Sequence, residues 1–355
     1  MKFGKLLFSI FTLSAITVSC SDDDVINAPS GAYADGLFVL NQGNFNQGNA
    51  SVSFISNDFT IENNVFAGVN PGMILGDTAQ DMAFNGDLAY IVLNNSHKIE
   101  IVNRYTFKHV ATIDEGLDNP RYIEFSSGKA FVTNWGSGGV TTDDFIAVIN
   151  LENNTVTSKI PVPEGPESMV QDNGKLYIAH KGGYGFGNTI TVLNPATNTI
   201  LSTINVGDVP EAMEIENGKL YVINGGIPSW MGAAQTTGSL MVINLLDNSV
   251  ASTMTFTTMA HPKNLQVENG TIYYTEAGKV FKMNAGSASL PVTPLFTVSG
   301  VGEYGIDGFA VKGDHIYAGN GGSFTAAGKV YVYSIAGNMQ HEFTAGIGPV
   351  GFYFN

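Results

Sequence analysis

The sequence predicts an all-β chain, a seven-bladed β-propeller of four-stranded blades closed by the C-terminal strand, which completes the first blade. Three observations predict it. A turn-and-strand unit, Glu216-Asn217-Gly218-Lys219-Leu220-Tyr221-Val222-Ile223-Asn224, recurs around Asn85-Gly86, Ser127-Gly128, Asn173-Gly174 and Asn269-Gly270, and more loosely around Asp35-Gly36 and Gly313-Asp314. The glycines are spaced 42 to 52 residues apart, the period of a four-stranded blade rather than of a helical solenoid. Asn-Gly between apolar runs is the signal of a two-residue hairpin, because a type I′ turn needs positive φ twice. Finally, charged residues make up only 13% of the chain while glycine supplies 42 of 355 positions, a composition for short strands and many turns.

Each unit parses as strand A, a two-residue turn, strand B, a variable loop, strand C, a short Asn-rich turn and strand D. Strands A are expected to begin near Ala79, Pro120, Pro166, Pro210, Pro262, Ile306 and Pro349, and strands B near Leu37, Leu88, Ala130, Leu176, Leu220, Ile272 and Ile316. Strands C include 145–150, 189–194 and 240–244; strands D follow at 155–160, 199–204 and 249–256. The chain therefore enters at a strand B and leaves at a strand A. Its last residues, 350–355, should supply the inner strand of blade 1 and remove an otherwise open inner edge.

The first 34 residues stand apart from the repeats. Met1-Lys2-Phe3-Gly4-Lys5 followed by the apolar run 6–18 reads as a signal peptide over residues 1–19. The only cysteine, Cys20, sits at the processing point, which resembles the lipobox of bacterial lipoproteins with Thr17 where leucine is usual. Residues 20–34 are then an acylated cysteine and a flexible tether, and 35–355 the propeller. Ser21-Asp22-Asp23-Asp24 resembles the acidic export signal of Bacteroidetes surface lipoproteins, and a solvated tether is the plainer reading of the same aspartates.

Sixteen basic against 31 acidic residues give a formal charge of −15. Such a chain has no electrostatic footprint for a phosphate backbone, which excludes nucleic acid as an expected partner and disfavours anionic lipid headgroups. Membrane contact is expected through the lipid anchor only.

Loop lengths select a functional face. A–B and C–D turns are short, whereas the opposite face receives the B–C loops 42–50, 94–98, 134–144, 180–188, 224–239 and 320–328 and the D–A loops 69–78, 116–119 and 299–305. Long loops on one end of a rigid scaffold are where binding concentrates. The expected ligand-binding residues there are Asn44, Phe45, Asp77, Asn95, His97, Arg121, Tyr122, Asn134, Trp135, Tyr184, Trp230 and Tyr304. Aromatic planes and amides around a concave centre suit a large, polar, roughly neutral ligand with apolar faces; packing over blade tops and turn satisfaction is the plainer role of each residue alone.

Catalytic signals are sparse. His97, His180 and His261 come from separated blades without metal-ligand spacing, so no metal is expected. Asp77, Glu167, Glu211, Glu303 and Asp307 lie near the mouth, but spacing does not pair any two of them for acid–base work. No nucleophile elbow, phosphate loop or His-Glu-x-x-His occurs. No catalytic residue and no cofactor are assigned. Arg121 is the best anchor for an anionic group, the competing role being an ion pair with a neighbouring blade.

Phe131-Val132-Thr133-Asn134, Tyr221-Val222-Ile223-Asn224 and Val148-Ile149-Asn150-Leu151 resemble the Tyr-Val-Thr-Asn (YncE-like) class of bacterial propellers. Asn41-Gln42-Gly43-Asn44-Phe45, Leu75-Gly76-Asp77-Thr78-Ala79-Gln80, Asn94-Asn95-Ser96-His97 and Asn119-Pro120-Arg121-Tyr122-Ile123 resemble, more narrowly, the BtuG type of Bacteroidetes surface lipoprotein, whose members capture cobalamin. The resemblance implies a seven-bladed disc anchored on the extracellular face of the outer membrane. It also implies that cobalamin (vitamin B12) or a related corrinoid is bound as ligand, not cofactor, and passed to a TonB-dependent transporter. The loops 136–143 and 225–238 belong to this sequence alone. Glycan or peptide capture for another uptake system, a propeller lyase or hydrolase, and a structural surface-layer protein are the competing expectations.

Overall fold

A computed structural model describes residues 31–232, 234–302 and 305–355. The signal peptide, Cys20 and most of the tether lie outside the described residues, as does Tyr304. Seven antiparallel four-stranded sheets follow one another around a ring, and no described helix is long and apolar enough to cross a membrane.

Blades 2 to 5 have full strands throughout: Ala79–Asn85, Leu88–Leu93, Lys98–Asn103 and His109–Ile113; Pro120–Ser126, Lys129–Asn134, Phe145–Asn150 and Thr155–Pro161; Pro166–Asp172, Lys175–His180, Thr189–Asn194 and Thr199–Asn205; Pro210–Glu216, Lys219–Asn224, Ser239–Asn244 and Ser249–Thr255. Blade 6 is Pro262–Glu268, Thr271–Glu276, Lys279–Asn284 and Phe296–Thr297, and blade 7 is Gly308–Lys312, His315–Asn320, Lys329–Ser334 and Met339–Thr344. Blade 1 joins Pro349–Phe354 to Gly36–Asn41, Ser51–Ser56 and Ile61–Glu62.

The hairpin glycines perform two kinds of turn. Ser127-Gly128, Asn173-Gly174, Asn217-Gly218 and Asn269-Gly270 have positive φ at both residues, as type I′ requires. In blades 2 and 7 the turn residues are Gly86-Asp87 and Gly313-Asp314, with only the glycine left-handed, the type II′ pattern. Asp35-Gly36 is not a turn at all. Gly36 opens the second strand of blade 1, because the strand inside it arrives from the other end of the chain.

Among the described residues no apolar cluster fills the centre of the ring. Seven apolar clusters occupy the seven seams between neighbouring blades. Side chains on a strand alternate between faces, so Ala89, Ile91 and Leu93 enter the seam with blade 1 while Tyr90 and Val92 enter the seam with blade 3. Burial on both sides is why strands B read as near-continuous apolar runs.

Closure joins the expected strands, with Leu37 opposite Phe354 and Val39 opposite Phe352. Tyr353 packs into the seam of blades 1 and 2, and Phe352 and Phe354 into that of blades 7 and 1. Asn355 then latches the end: its amide donates to the carbonyls of Tyr33 and Arg104, and the Arg104 guanidinium donates back to it.

Two features depart from expectation. The D–A loop of blade 1 contains a short helix, Val65–Val69, that buries Phe66. The face of short turns is not uniformly plain, because eleven residues, 285–295, join strands C and D of blade 6. That loop packs Leu290 and Leu295 onto neighbouring seams in place of a full outer strand.

Two tests follow from the ring. A chain ending at Pro349 loses aromatic side chains from two seams, each worth about 1.5–3 kcal/mol when fully buried, and is expected to lose its cooperative melt; an unchanged melt would contradict closure by this strand. The second concerns Glu214 on the inner strand of blade 5, whose carboxylate accepts from Gln266 at 2.8 Å. Burial pushes its carboxyl up from 4.5 to about 7. A raised folded-state value means that the folded protein holds this proton more tightly than the unfolded chain, so the gain is complete below about pH 4.5 and is lost as pH rises through about 7. Glu214→Gln is expected to raise the melting temperature by a few degrees at pH 8, with the difference shrinking toward zero at pH 4.5; a difference independent of pH would refute it.

Candidate functional site

Strand A approaches the loop face through a repeated kink. The residue just before it is left-handed in blades 1 to 5: Gly348, Thr78, Asn119, Gly165 and Val209. The inner-strand register then slips within two or three residues in blades 2 to 5. Such bulges re-aim side chains at a rim, and in blades 3 to 5 the residue after the first proline is Arg121, Glu167 or Glu211. Like Thr78 at φ 55, Val209 is a costly case, since a β-branched residue at φ 57 is a genuine outlier. Two backbone bonds hold it, from its N–H to Gly187 O at 2.8 Å and from Gly225 N to its carbonyl at 2.7 Å.

Charges of alternating sign surround the mouth. Arg121 grips Glu167 with two nitrogens, at 3.0 and 3.3 Å. Lys181 donates to Glu211 at 2.8 Å. Burial works against the Lys181 charge, yet Glu211 and Glu167 beside it outweigh that effect and raise its pKa. Lys263 follows on blade 6, close enough to Asp307 before blade 7 to offset part of the upward push that burial gives that carboxyl. Blades 3 to 7 thus present a polarised but nearly neutral arc, of which only Arg121 was among the expected ligand contacts.

The expected site residues separate into two groups. On blades 1 and 2, and at Asn134 of blade 3, they knit loops together. Asp77 accepts from Asn46 N, Gly48 N at 2.8 Å and Thr78 Oγ1 at 2.7 Å; burial opposes its charge, but these bonds keep its pKa below the ordinary value. Asn95 donates to Asn46 at 2.9 Å, Asn44 exchanges two bonds with Asn49, and His97 Nδ1 accepts Asn119 N–H at 3.0 Å. Phe45 stays exposed. Asn134 is fully buried, accepting Asp118 N and donating to Val132 O. Asn320 repeats this with Gly302 N and Gly300 O, so an asparagine ending strand B serves as a latch for the incoming D–A loop.

On blades 3 to 5 the expected residues do converge. The Arg121 guanidinium lies 4.1 Å above the Trp135 ring. Trp135 Nε1 donates to Pro166 O, and Tyr184 meets Trp135 edge-on at 5.8 Å. Tyr122 is enclosed beside Glu167, and burial pushes its phenol up. Tyr184 and Trp230 are 71% and 80% exposed, which leaves two large apolar faces in solvent.

Beside them lies a cleft of about 530 Å³ between blades 4, 5 and 6, lined by Trp230, Pro228, Met231, Gln235, His261 and Lys263 together with Lys181, Glu211 and glycines. Sequence reasoning placed Trp230, His261 and Glu211 on this face but did not join them with the rest. The signal was the loop 225–238, whose Ser-Trp-Met tip has no counterpart in other blades, although its two initial glycines recur in blade 7 as Gly321-Gly322. Of the three histidines, His180 is buried between Pro163 O and Thr191 Oγ1, and burial lowers its pKa to about 4. His261 bonds Gly225 O and Gln235. Each histidine is tied to loops beside it, and among the described residues no group of three or more His, Cys, Asp or Glu could hold a metal.

Asp77→Ala is expected to cost about 1–3 kcal/mol through the stranded amides of Asn46 and Gly48 and to expose loop 44–50 to limited proteolysis. Unchanged cleavage there would make Asp77 a solvent-facing contact instead of a loop anchor.

The fold is widely shared. A quinonprotein alcohol dehydrogenase-like protein from Bacteroides thetaiotaomicron superposes with a TM-score of 0.68 at 14% identity, over 91% of this chain and 78% of that one. A functionally unknown protein from Desulfotomaculum acetoxidans gives 0.65 at 17%, over 89% and 97%. BamB from Moraxella catarrhalis gives 0.51 at 14%, over 91% and 86%. Identities this low speak for the fold alone. No curated protein matches the chain. Residues 35–303, from the entry into blade 1 to the approach to blade 7, match the family described as "Domain of unknown function (DUF5074)", and the chain belongs to that family.

Proposed function

We propose that the protein is a non-enzymatic capture propeller, lipid-anchored through Cys20 on the extracellular face of the outer membrane, that binds cobalamin or a related corrinoid and passes it to a TonB-dependent transporter. The observation that carries the binding role is the state of the charged groups at the mouth. Arg121, Glu167, Lys181 and Glu211 are locked in pairs of opposite sign, and His261 is held at both ring nitrogens. Such groups present fixed dipoles to a ligand and have no ready role as proton donor or acceptor. A nearly neutral, polarised rim with exposed Trp230 and Tyr184 suits a large neutral ligand with a flat apolar body and amide periphery. The corrinoid identity rests on the likeness of the loops in blades 1 and 2, the same loops that Asp77 and Asn95 hold in shape.

The exposed aromatics would also stack on sugar rings, which makes glycan capture the second reading. Soluble protein beginning after Cys20, mixed with cyanocobalamin at micromolar concentration, is expected to carry the red chromophore through a sizing column. Elution free of chromophore, together with retardation on a glycan affinity gel, would replace the corrinoid reading with the second.

A further inference from the structure

The cleft between blades 4, 5 and 6 holds about 530 Å³. One wall is the tip of loop 225–238, where Pro228, Trp230 and Met231 lie on a short 3₁₀ turn closed by left-handed Gly232. The tip stands on a braced stem: Thr236 N donates to Ile227 O at 3.1 Å, Ile227 N to Thr236 Oγ1 at 2.9 Å, and Thr236 Oγ1 to Asp208 at 2.9 Å. Gly226 N adds a bond to Asp208 O. Trp230 is therefore exposed on a rigid support, not on a slack loop.

Glycine backbone lines the cleft as well. Gly183 and Gly185 come from blade 4, and Gly225 and Gly226 from blade 5. A side chain at Gly226 would collide with Thr236 O at 2.5 Å, and one at Gly225 with Glu211 at 2.9 Å. At the back, His261 Nδ1 lies 2.8 Å from Gly225 O and its Nε2 3.1 Å from Gln235 Nε2. The carbonyl fixes the tautomer: Nδ1 carries the proton and Nε2 accepts from the Gln235 amide. Gln235 is thereby oriented, and its carbonyl oxygen has no partner among the described residues.

An aromatic plane, a glycine wall and one oriented amide define a site for a flat, uncharged heterocycle. We propose that this cleft binds the planar bicyclic base of the ligand, stacked on Trp230 and read at its edge by Gln235. The proposal rests on the corrinoid reading for the ligand's identity: cobalamin carries a benzimidazole base on a flexible nucleotide tether, and cobinamide is the same macrocycle without it. The macrocycle then lies across the channel mouth on the arc of paired charges.

The test compares four titrations by calorimetry, cobalamin and cobinamide into the wild type and into Trp230→Ala, whose melt verifies its fold. The wild type is expected to bind cobalamin roughly tenfold more tightly than cobinamide, the scale of one base–aromatic stack, and Trp230→Ala to erase the difference by weakening cobalamin alone. Equal wild-type affinities, or a preference that survives Trp230→Ala, would overturn the cleft assignment and leave corrinoid capture standing. If neither corrinoid binds, the corrinoid reading fails and the cleft is judged by benzimidazole alone. Quenching of tryptophan fluorescence at millimolar benzimidazole, absent in Trp230→Ala, supports a planar-base site for another ligand, and no quenching in the wild type overturns it.

Discussion

Every blade of this protein is apolar on both faces, and that single constraint organises the rest. A sheet buried on two sides has no stable end state except between two others, so the chain must bend its sheets into a ring. The seven seam clusters are the outcome. Because no side chains are needed at the centre, the inner strands can carry polar residues along the channel, and half-buried Asp81 and Glu214 sit there with carboxyls pushed up to about 7. The loop face inherits rigidity from the seams, since each D–A loop enters already held by the blade it is about to join.

That rigidity shapes the reading of the site. A mouth whose ions are locked in pairs offers a fixed electrostatic surface and little freedom to rearrange. Binding there avoids the ordering cost that a flexible pocket imposes on a ligand. The strained Val209 fits the same pattern, since a β-branched residue persists in the left-handed region only where its surroundings over-determine it. Its two backbone bonds come from the blade 4 and blade 5 loops that also form the glycine wall of the cleft.

The fold was legible in the sequence because its signals are local. Gly128, Gly174, Gly218 and Gly270 each mark a turn whose backbone no other residue adopts as readily, and the strand between successive marks follows from alternation and length. The loop face was legible as a face and much less so as a set of contacts. Asn134 and Trp230 look equivalent in a sequence, both lying at or beyond the end of a strand B. One is buried and bonded to Asp118 N and Val132 O, while the other stands in solvent. What separates them is the partner on the incoming loop, which lies 16 residues away for Asn134 and across a blade boundary. The arc of charges stayed hidden for the same reason: Arg121 and Glu167 are 46 residues apart, and only the shared kink before each strand A brings them together.

The closing strand has a consequence for the order of events in folding. Six of the seven seams join blades that are consecutive in the chain, so each can form soon after its two blades exist. The seventh sets blade 7 against blade 1, whose own pairing of Leu37 with Phe354 spans nearly the whole sequence, and the loop-closure entropy of that pairing must be met before any of its contacts repay it. Until those last aromatics dock, blade 1 is a three-stranded sheet with an open inner edge, and two seams lack part of their filling. The ring is therefore completed late and from its far end, and the latch at Asn355 is the structure's own mark that the process has finished.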